Sequence, residues 1–267
     1  MTNTENYLFP NNLTLTVRNK FEADYLYHEI FENREYFQKG INLAPGDTVF
    51  DVGANIGMFA AAVHESFPSV MVHCFEPIPE IFQTLSRNAE RSMGGTKAHN
   101  LGISDIENEV EFSYFPNFSI LSSMYSDAIY DADVLRKIIT CKFDNVRHDK
   151  QLLDRFIDTF IDSRLQVQKV NCRLTTLSHI IRQENIERID LLKIDAEKSE
   201  LDVLGGIEAA HWPMIRQIVM EFHQADEFRY AALRGLLEGH GFRVVVDRDE
   251  IFQTTDTLLV YAFRVES

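Results

Sequence analysis

Positive charge is scarce in this chain. Its 267 residues hold 26 Lys and Arg against 41 Asp and Glu, a net charge of -15 and a pI near 5.0. A protein that neutralises phosphates needs a surplus of cations on some face, so the balance argues against a nucleic-acid binder. Cysteine is equally sparse: Cys74, Cys141 and Cys172 share no C-x-x-C spacing. Cys74 falls within an apolar strand, where a buried free thiol is expected, and the cytoplasm is the expected compartment. No apolar run reaches the roughly 18 residues that cross a bilayer. The stretch Met1 to Asn6 lacks the charged and apolar regions of a signal peptide, so no membrane partner is expected. Internal repeats and low-complexity tracts are also missing.

What the chain does have is apolar content of 45%, enough for one sizeable core. Strand and helix signals alternate in a parallel-sheet rhythm. Strands are expected at 48 to 52, 70 to 75, 97 to 101, 189 to 194, 216 to 222, 242 to 247 and 257 to 264, with helices at 56 to 66, 79 to 92, 198 to 209 and 226 to 239. Leu201, Leu204 and Ile207 form one core stripe, and Phe228, Leu233, Leu236 and Leu237 another. The last two strands are joined by a short turn-rich link, which predicts a C-terminal antiparallel pair on an otherwise parallel sheet. Residues 1 to 45 are expected to form a helical extension or lid, and 46 to 267 the main domain, with an insertion at about 120 to 165.

The most telling segment is Val49-Phe-Asp-Val-Gly-Ala-Asn-Ile-Gly-Met-Phe59, a strand that passes through Gly53 and Gly57 into an apolar helix. A third glycine at the G-x-G-x-x-G spacing is missing, which weakens a dinucleotide pyrophosphate as ligand. Asp51 and Asn55 would set a carboxylate and an amide beside the loop, suited to a free amino acid moiety such as that of S-adenosylmethionine. A bare structural turn is the competing explanation. Glu76 closes the next strand 25 residues after Asp51, where a ribose diol is gripped. After the third strand, Asn100-Leu-Gly-Ile-Ser-Asp105 should pass the adenine, with Ile103 as an apolar face and Ser104 and Asp105 as polar readers.

These motifs, with Leu192-Lys-Ile-Asp-Ala-Glu197, Glu200 and Val219-Met-Glu-Phe-His223, resemble the FkbM family of S-adenosylmethionine-dependent methyltransferases over most of the chain. The upstream helix from Glu22 to Glu32, with Tyr36 and Gly40-Ile41, resembles members from polyketide and nonribosomal peptide pathways. One departure is Lys198, where many members carry glycine. The resemblance implies a Rossmann-like class I methyltransferase fold, α/β, with a seven-stranded mostly parallel sheet and helices on both faces. It further implies O-methylation of a hydroxyl group without choosing the acceptor.

Methyl transfer is an in-line displacement that usually needs a base for the acceptor hydroxyl. Strand ends near 195 and 222 should converge on one cleft. His223 is the expected base, with Asp195 and Glu221 beside it as catalytic residues. A divalent ion on Asp195, Glu221 and His223 is conceivable but not expected, so no metal site is assigned. Glu197 and Glu200 read equally well as helix-start carboxylates. Tyr27 is a candidate substrate contact. The insertion carries Arg136, Lys137, Lys142, Arg147, Lys150 and Arg155; a substrate lid that meets a small-molecule or acyl-carrier-protein-bound hydroxyl substrate is one expectation, and a solvated helix face balanced by Asp144, Asp149 and Asp154 is the competing one. The competing functions are a nucleotide-dependent oxidoreductase and a catalytically silent cofactor-binding module.

Overall fold

The computed structural model describes residues 4–127, 130–133, 135–137, 161, 166–247 and 256–265. Its centre is a seven-stranded sheet in the order β11-β12-β10-β9-β3-β4-β5. The strands are β3 (Thr48–Val52), β4 (Met71–Phe75), β5 (Thr96–His99), β9 (Leu191–Ile194), β10 (Gln217–Phe222), β11 (Phe242–Asp247) and β12 (Leu258–Arg264). β9 is buried along its whole length, as expected where both faces of a parallel sheet are covered. Alternate residues serve opposite faces. Val49, Leu191 and Val219 enter one core cluster, while Phe50, Leu192, Ile194, Ile218 and Met220 enter another.

β3 pairs in parallel with β4 on one side and β9 on the other, and β9 pairs in parallel with β10. The register sets Val52 beside Phe75 and Ile194, and Ile194 beside Met220. The next residues, Gly53, Glu76, Asp195 and Glu221, therefore emerge along one edge of the sheet. Because the chain runs from β3 to β4 and β5 on one side while β9 and β10 lie on the other, that edge is the crevice in which open α/β sheets bind ligands. The expected terminal antiparallel pair is present. β12 is the strand that runs against the others, lying between β10 and β11.

The crossover helices include α2 (Met58–Ser66), α3 (Pro79–Ser92), α4 (Leu177–Gln183), α5 (Glu200–Gly205) and α6 (Glu227–Gly239). α5 is shorter than expected at both ends: Lys198, with φ +77°, is not helical, and the helix stops at Gly205. In α6, Leu233 and Leu237 are buried, but Phe228 is 85% exposed and leaves the core stripe predicted for it. It sits in the first turn, ahead of the part of the helix that reaches the sheet.

A second sheet was not foreseen as such. β6 (Gly102–Ser104), β7 (Asn108–Tyr114) and β8 (Gln168–Thr176) pair in the order β6-β8-β7. β8 is exposed over its first half, which removes the apolar signal that marks a core strand. The N-terminal stretch is only partly helical. It opens with a hairpin of β1 (Glu5–Leu8) and β2 (Thr14–Val17) before α1 (Lys20–Tyr27), which Asn19 caps by accepting from the Phe21 amide. β2 is tied to α3 through Asn88, which accepts from Thr16 N–H at 2.7 Å and donates to Thr16 C=O at 2.9 Å. Within the insertion, Lys142, Arg147, Lys150 and Arg155 lie outside the described residues.

Candidate active site

The cofactor-type loop is shaped by backbone constraints. Gly53 has φ +75°, and a Cβ there would stand 1.7 Å from the Asp195 carbonyl oxygen, so no side chain fits. Its N–H and that of Ala54 donate to Phe75 C=O at 3.1 and 3.0 Å. Asn55 also has positive φ, at +47°. Gly57, with φ +91°, precedes α2 and is packed behind the loop, where a Cβ would meet Leu85 Cδ1 at 2.9 Å.

Glu76 is 5% exposed. Its Oε1 accepts from Ile78 N–H at 2.8 Å and its Oε2 from Asn55 N–H at 3.1 Å. Burial raises its carboxyl and the two N–H donors oppose the rise, leaving it up at about 8. Asn100 donates to the Glu76 and Pro77 carbonyls at 2.9 and 3.0 Å, which fixes the turn after β4. Gly53, Asn55, Glu76, Ile103, Asp195 and Glu197 all wall one cavity.

Several expected site residues stand off that wall. Asp51 has no exposed surface and sits beneath the loop. Its carboxylate lies 3.2 Å from Lys193 Nζ and 3.8 Å from Cys74 Sγ. Its role in the structure is to hold Lys193, which also donates to Gly53 C=O at 3.0 Å and lies 3.4 Å from Asp195 Oδ2. Ser104 is buried with its hydroxyl on Asp105 Oδ1 at 3.2 Å, so only Ile103 of that trio reaches the cavity. Tyr27 stacks between Phe9 and Phe31 at 5.1 and 4.9 Å and packs against the N-terminal hairpin. The N-terminal aromatic that reaches the cavity is Tyr36, which donates to Glu221 Oε1 and to Asp195 Oδ2, the latter at 3.4 Å.

His223, Asp195 and Glu221 do converge. His223 Nδ1 is 2.8 Å from Glu200 Oε1, and its Nε2 lies 3.6 Å from Glu197 Oε2 and 3.9 Å from Glu221 Oε2. Burial would lower the His223 pKa, but Glu197, Glu200 and Glu221 together raise it well above the ordinary value. Burial and neighbouring negative charge, chiefly Asp195, push Glu221 up to about 8. Burial likewise takes Glu197 to about 8. Asp195, Glu197 and His223 bring one ligand atom each within 4.8 Å of one another, a donor set that could hold a divalent ion. In that set Glu197 takes the place expected of Glu221.

Lys193, Tyr36, Glu197 and Glu200 belong to this site and were not singled out for it from sequence. A lysine inside the apolar run Leu191-Leu-Lys-Ile-Asp195 was the available signal. Alternation along β9 puts it on the same face as Asp51, its direct partner in the register.

Fold and crevice together define a Rossmann-like α/β domain of the class I methyltransferase type. The Methyltransferase FkbM domain model matches residues 51–244. The chain is 37% identical to 31-O-demethyl-FK506 methyltransferase FkbM of Streptomyces tacrolimicus over 260 residues, 97% of both chains. It is 30% identical to methyltransferase sdnD of Sordaria araneosa, covering 94% of this chain and 93% of that one. It is also 38% identical to part of the AMB antimetabolite synthetase AmbE of Pseudomonas aeruginosa, covering 91% of this chain and 12% of the synthetase. The chain belongs to the FkbM methyltransferase family.

Proposed function

We propose that the chain is an S-adenosylmethionine-dependent O-methyltransferase acting on a hydroxyl of a polyketide, peptide or related secondary metabolite. The observation that carries this reading is the adjacency of two halves of one cavity. The Gly53 turn and the buried Glu76 carboxylate form one half, and Asp195 and Glu197 wall the other, with a ring nitrogen of His223 within 4.8 Å of a carboxylate oxygen of each. The cofactor fits the residues present. Gly53 leaves no room for a side chain, Glu76 offers carboxylate oxygens for a ribose diol, and the acidic cluster complements a sulfonium cation.

When bound, S-adenosylmethionine supplies an electrophilic methyl carbon. Ile103 would pack against the adenine, and Asp195 would orient the acceptor hydroxyl. His223 is held by Glu200 at Nδ1, which leaves Nε2 to take the hydroxyl proton. Positive charge at the cluster would oppose the rise that the carboxylates impose on the His223 pKa. The acceptor is free or carrier-bound, and the match to a segment of a much longer synthetase supports the carrier-bound form.

The test is incubation with methyl-deuterated S-adenosylmethionine and a panel of free and carrier-tethered hydroxylated acceptors, with the label located by NMR. The proposal expects the label on oxygen. Label on nitrogen or carbon would overturn O-methylation.

A further inference from the structure

Glu197 and Lys198 follow one another with φ of +44° and +77°, two non-glycine residues in the left-handed region directly at the acidic cluster. Such a pair persists only where its surroundings hold it. The holding contacts come from the first residues of the insertion. Ser123 Oγ donates to Glu197 C=O at 2.5 Å. Lys198 Nζ donates to Asp131 Oδ1 at 2.5 Å, with both side chains only 3% exposed. The same ammonium lies 4.7 Å over the Tyr130 ring and 3.5 Å from Tyr125 C=O.

Asp131 is itself prepared for this partner. Its other oxygen, Oδ2, accepts from Ser126 Oγ at 2.8 Å and from Asp127 N–H at 3.1 Å. On the opposite side of the loop, Lys198 N–H donates to Glu200 Oε1 at 2.9 Å, the oxygen that meets His223 Nδ1. An unbroken chain of contacts thus runs from Asp131 through Lys198 and Glu200 to His223.

We infer that Lys198 is a positioning residue for methyl transfer: its buried pair with Asp131 clamps the segment bearing Ser123 and Asp131 onto the Asp195–Glu200 loop, and so sets Glu197 and Glu200 against His223. The inference rests on the proposed methyl transfer for its kinetic consequence, but the clamp itself is a physical contact that can be measured without an acceptor. A glycine at 198 would accept the backbone conformation and still lose the clamp.

The experiment compares Lys198→Met, Lys198→Gly, Asp131→Asn and the double variant Lys198→Met/Asp131→Asn with the parent. Hydrogen exchange of the 123–127 and 196–200 amides, S-adenosylmethionine affinity by calorimetry, and kcat are read for each. Breaking one partner of a buried pair strands a charge, so the double variant, which leaves none, guards against simple misfolding. The expected result is faster exchange in both segments in every variant. With it, kcat falls by about tenfold or more while cofactor affinity changes by less than about threefold, the signature of lost orientation rather than lost binding. The double variant should be no slower than either single. Unchanged exchange at 196–200 in the double variant would overturn the clamp, whatever the acceptor proves to be. Faster exchange with unchanged kcat would overturn the positioning role. If the parent transfers no methyl to oxygen, the function proposal fails while the exchange data still decide the clamp.

Discussion

His223 Nδ1 and Glu200 Oε1 stand 2.8 Å apart, with the Glu200 side chain fully buried. That contact orients the imidazole and leaves Nε2 facing Glu197 and Glu221. Replacing His223 with Gln should therefore cost roughly 10²- to 10⁴-fold in kcat, the range for a positioned acid or base, with cofactor binding retained. The pH profile carries the sign. The surrounding carboxylates raise the His223 pKa above its ordinary value, and the protonated ring cannot accept a proton. Activity should rise with pH through a midpoint above the usual ~6.5 for histidine. A midpoint below that value would contradict the arrangement.

Gly53 and Asp195 meet backbone to backbone. A Cβ at 53 would lie 1.7 Å from the Asp195 carbonyl oxygen, so Gly53→Ala must push β3 and β9 apart at the crevice. The expected outcome is a loss on the order of 3 kcal/mol or more in stability, with cofactor binding lost as well. Chemical denaturation of both proteins, read beside calorimetry, checks it. Equal stability would show that the loop relaxes away from this contact.

His73 and His99 are buried together on the side of the sheet away from Asp51, with Nδ1 and Nε2 3.2 Å apart and rings stacked at 5.4 Å. Burial lowers both, His99 to about 4. Their folded pKa values lie below the unfolded ~6.5, so their stability contribution is complete above about pH 6.5 and is lost as pH falls toward 4. The carboxyls of Glu76, Glu197 and Glu221 work in the opposite direction, because their folded pKa values are raised. The difference between the parent and His99→Gln isolates the histidine part. The gap in melting temperature should be largest near pH 7 and shrink on acidification; a constant gap would assign His99 a packing role alone.

Much of the half of the cavity proposed for the cofactor was legible in sequence because its geometry depends on short-range signals. The strand-glycine turn, Glu76 at a strand end and the β-strand periods all follow from local pattern, and a parallel sheet aligns strand ends without further information. The acid cluster was legible in part: Asp195, Glu221 and His223 occupy neighbouring strand ends, and they do meet. What escaped depended on distance in sequence. Tyr36 reaches Glu221 across 185 positions. Asp51 reads as a cofactor ligand because it precedes the glycine turn, yet its side chain alternates downward onto Lys193. Glu200 reads as a helix-start carboxylate and is one, but the same oxygen also holds His223. Charge and period alone do not separate those two uses.

The most direct measurement is calorimetric titration of the protein with S-adenosylmethionine and S-adenosylhomocysteine, repeated for Glu76→Ala and with NAD as control. The account predicts binding of both sulfur ligands, loss of that binding in Glu76→Ala in a protein that still melts cooperatively, and no response to NAD. Binding that survives Glu76→Ala, or a preference for NAD, would contradict the assignment of the Gly53 and Glu76 crevice as the cofactor site.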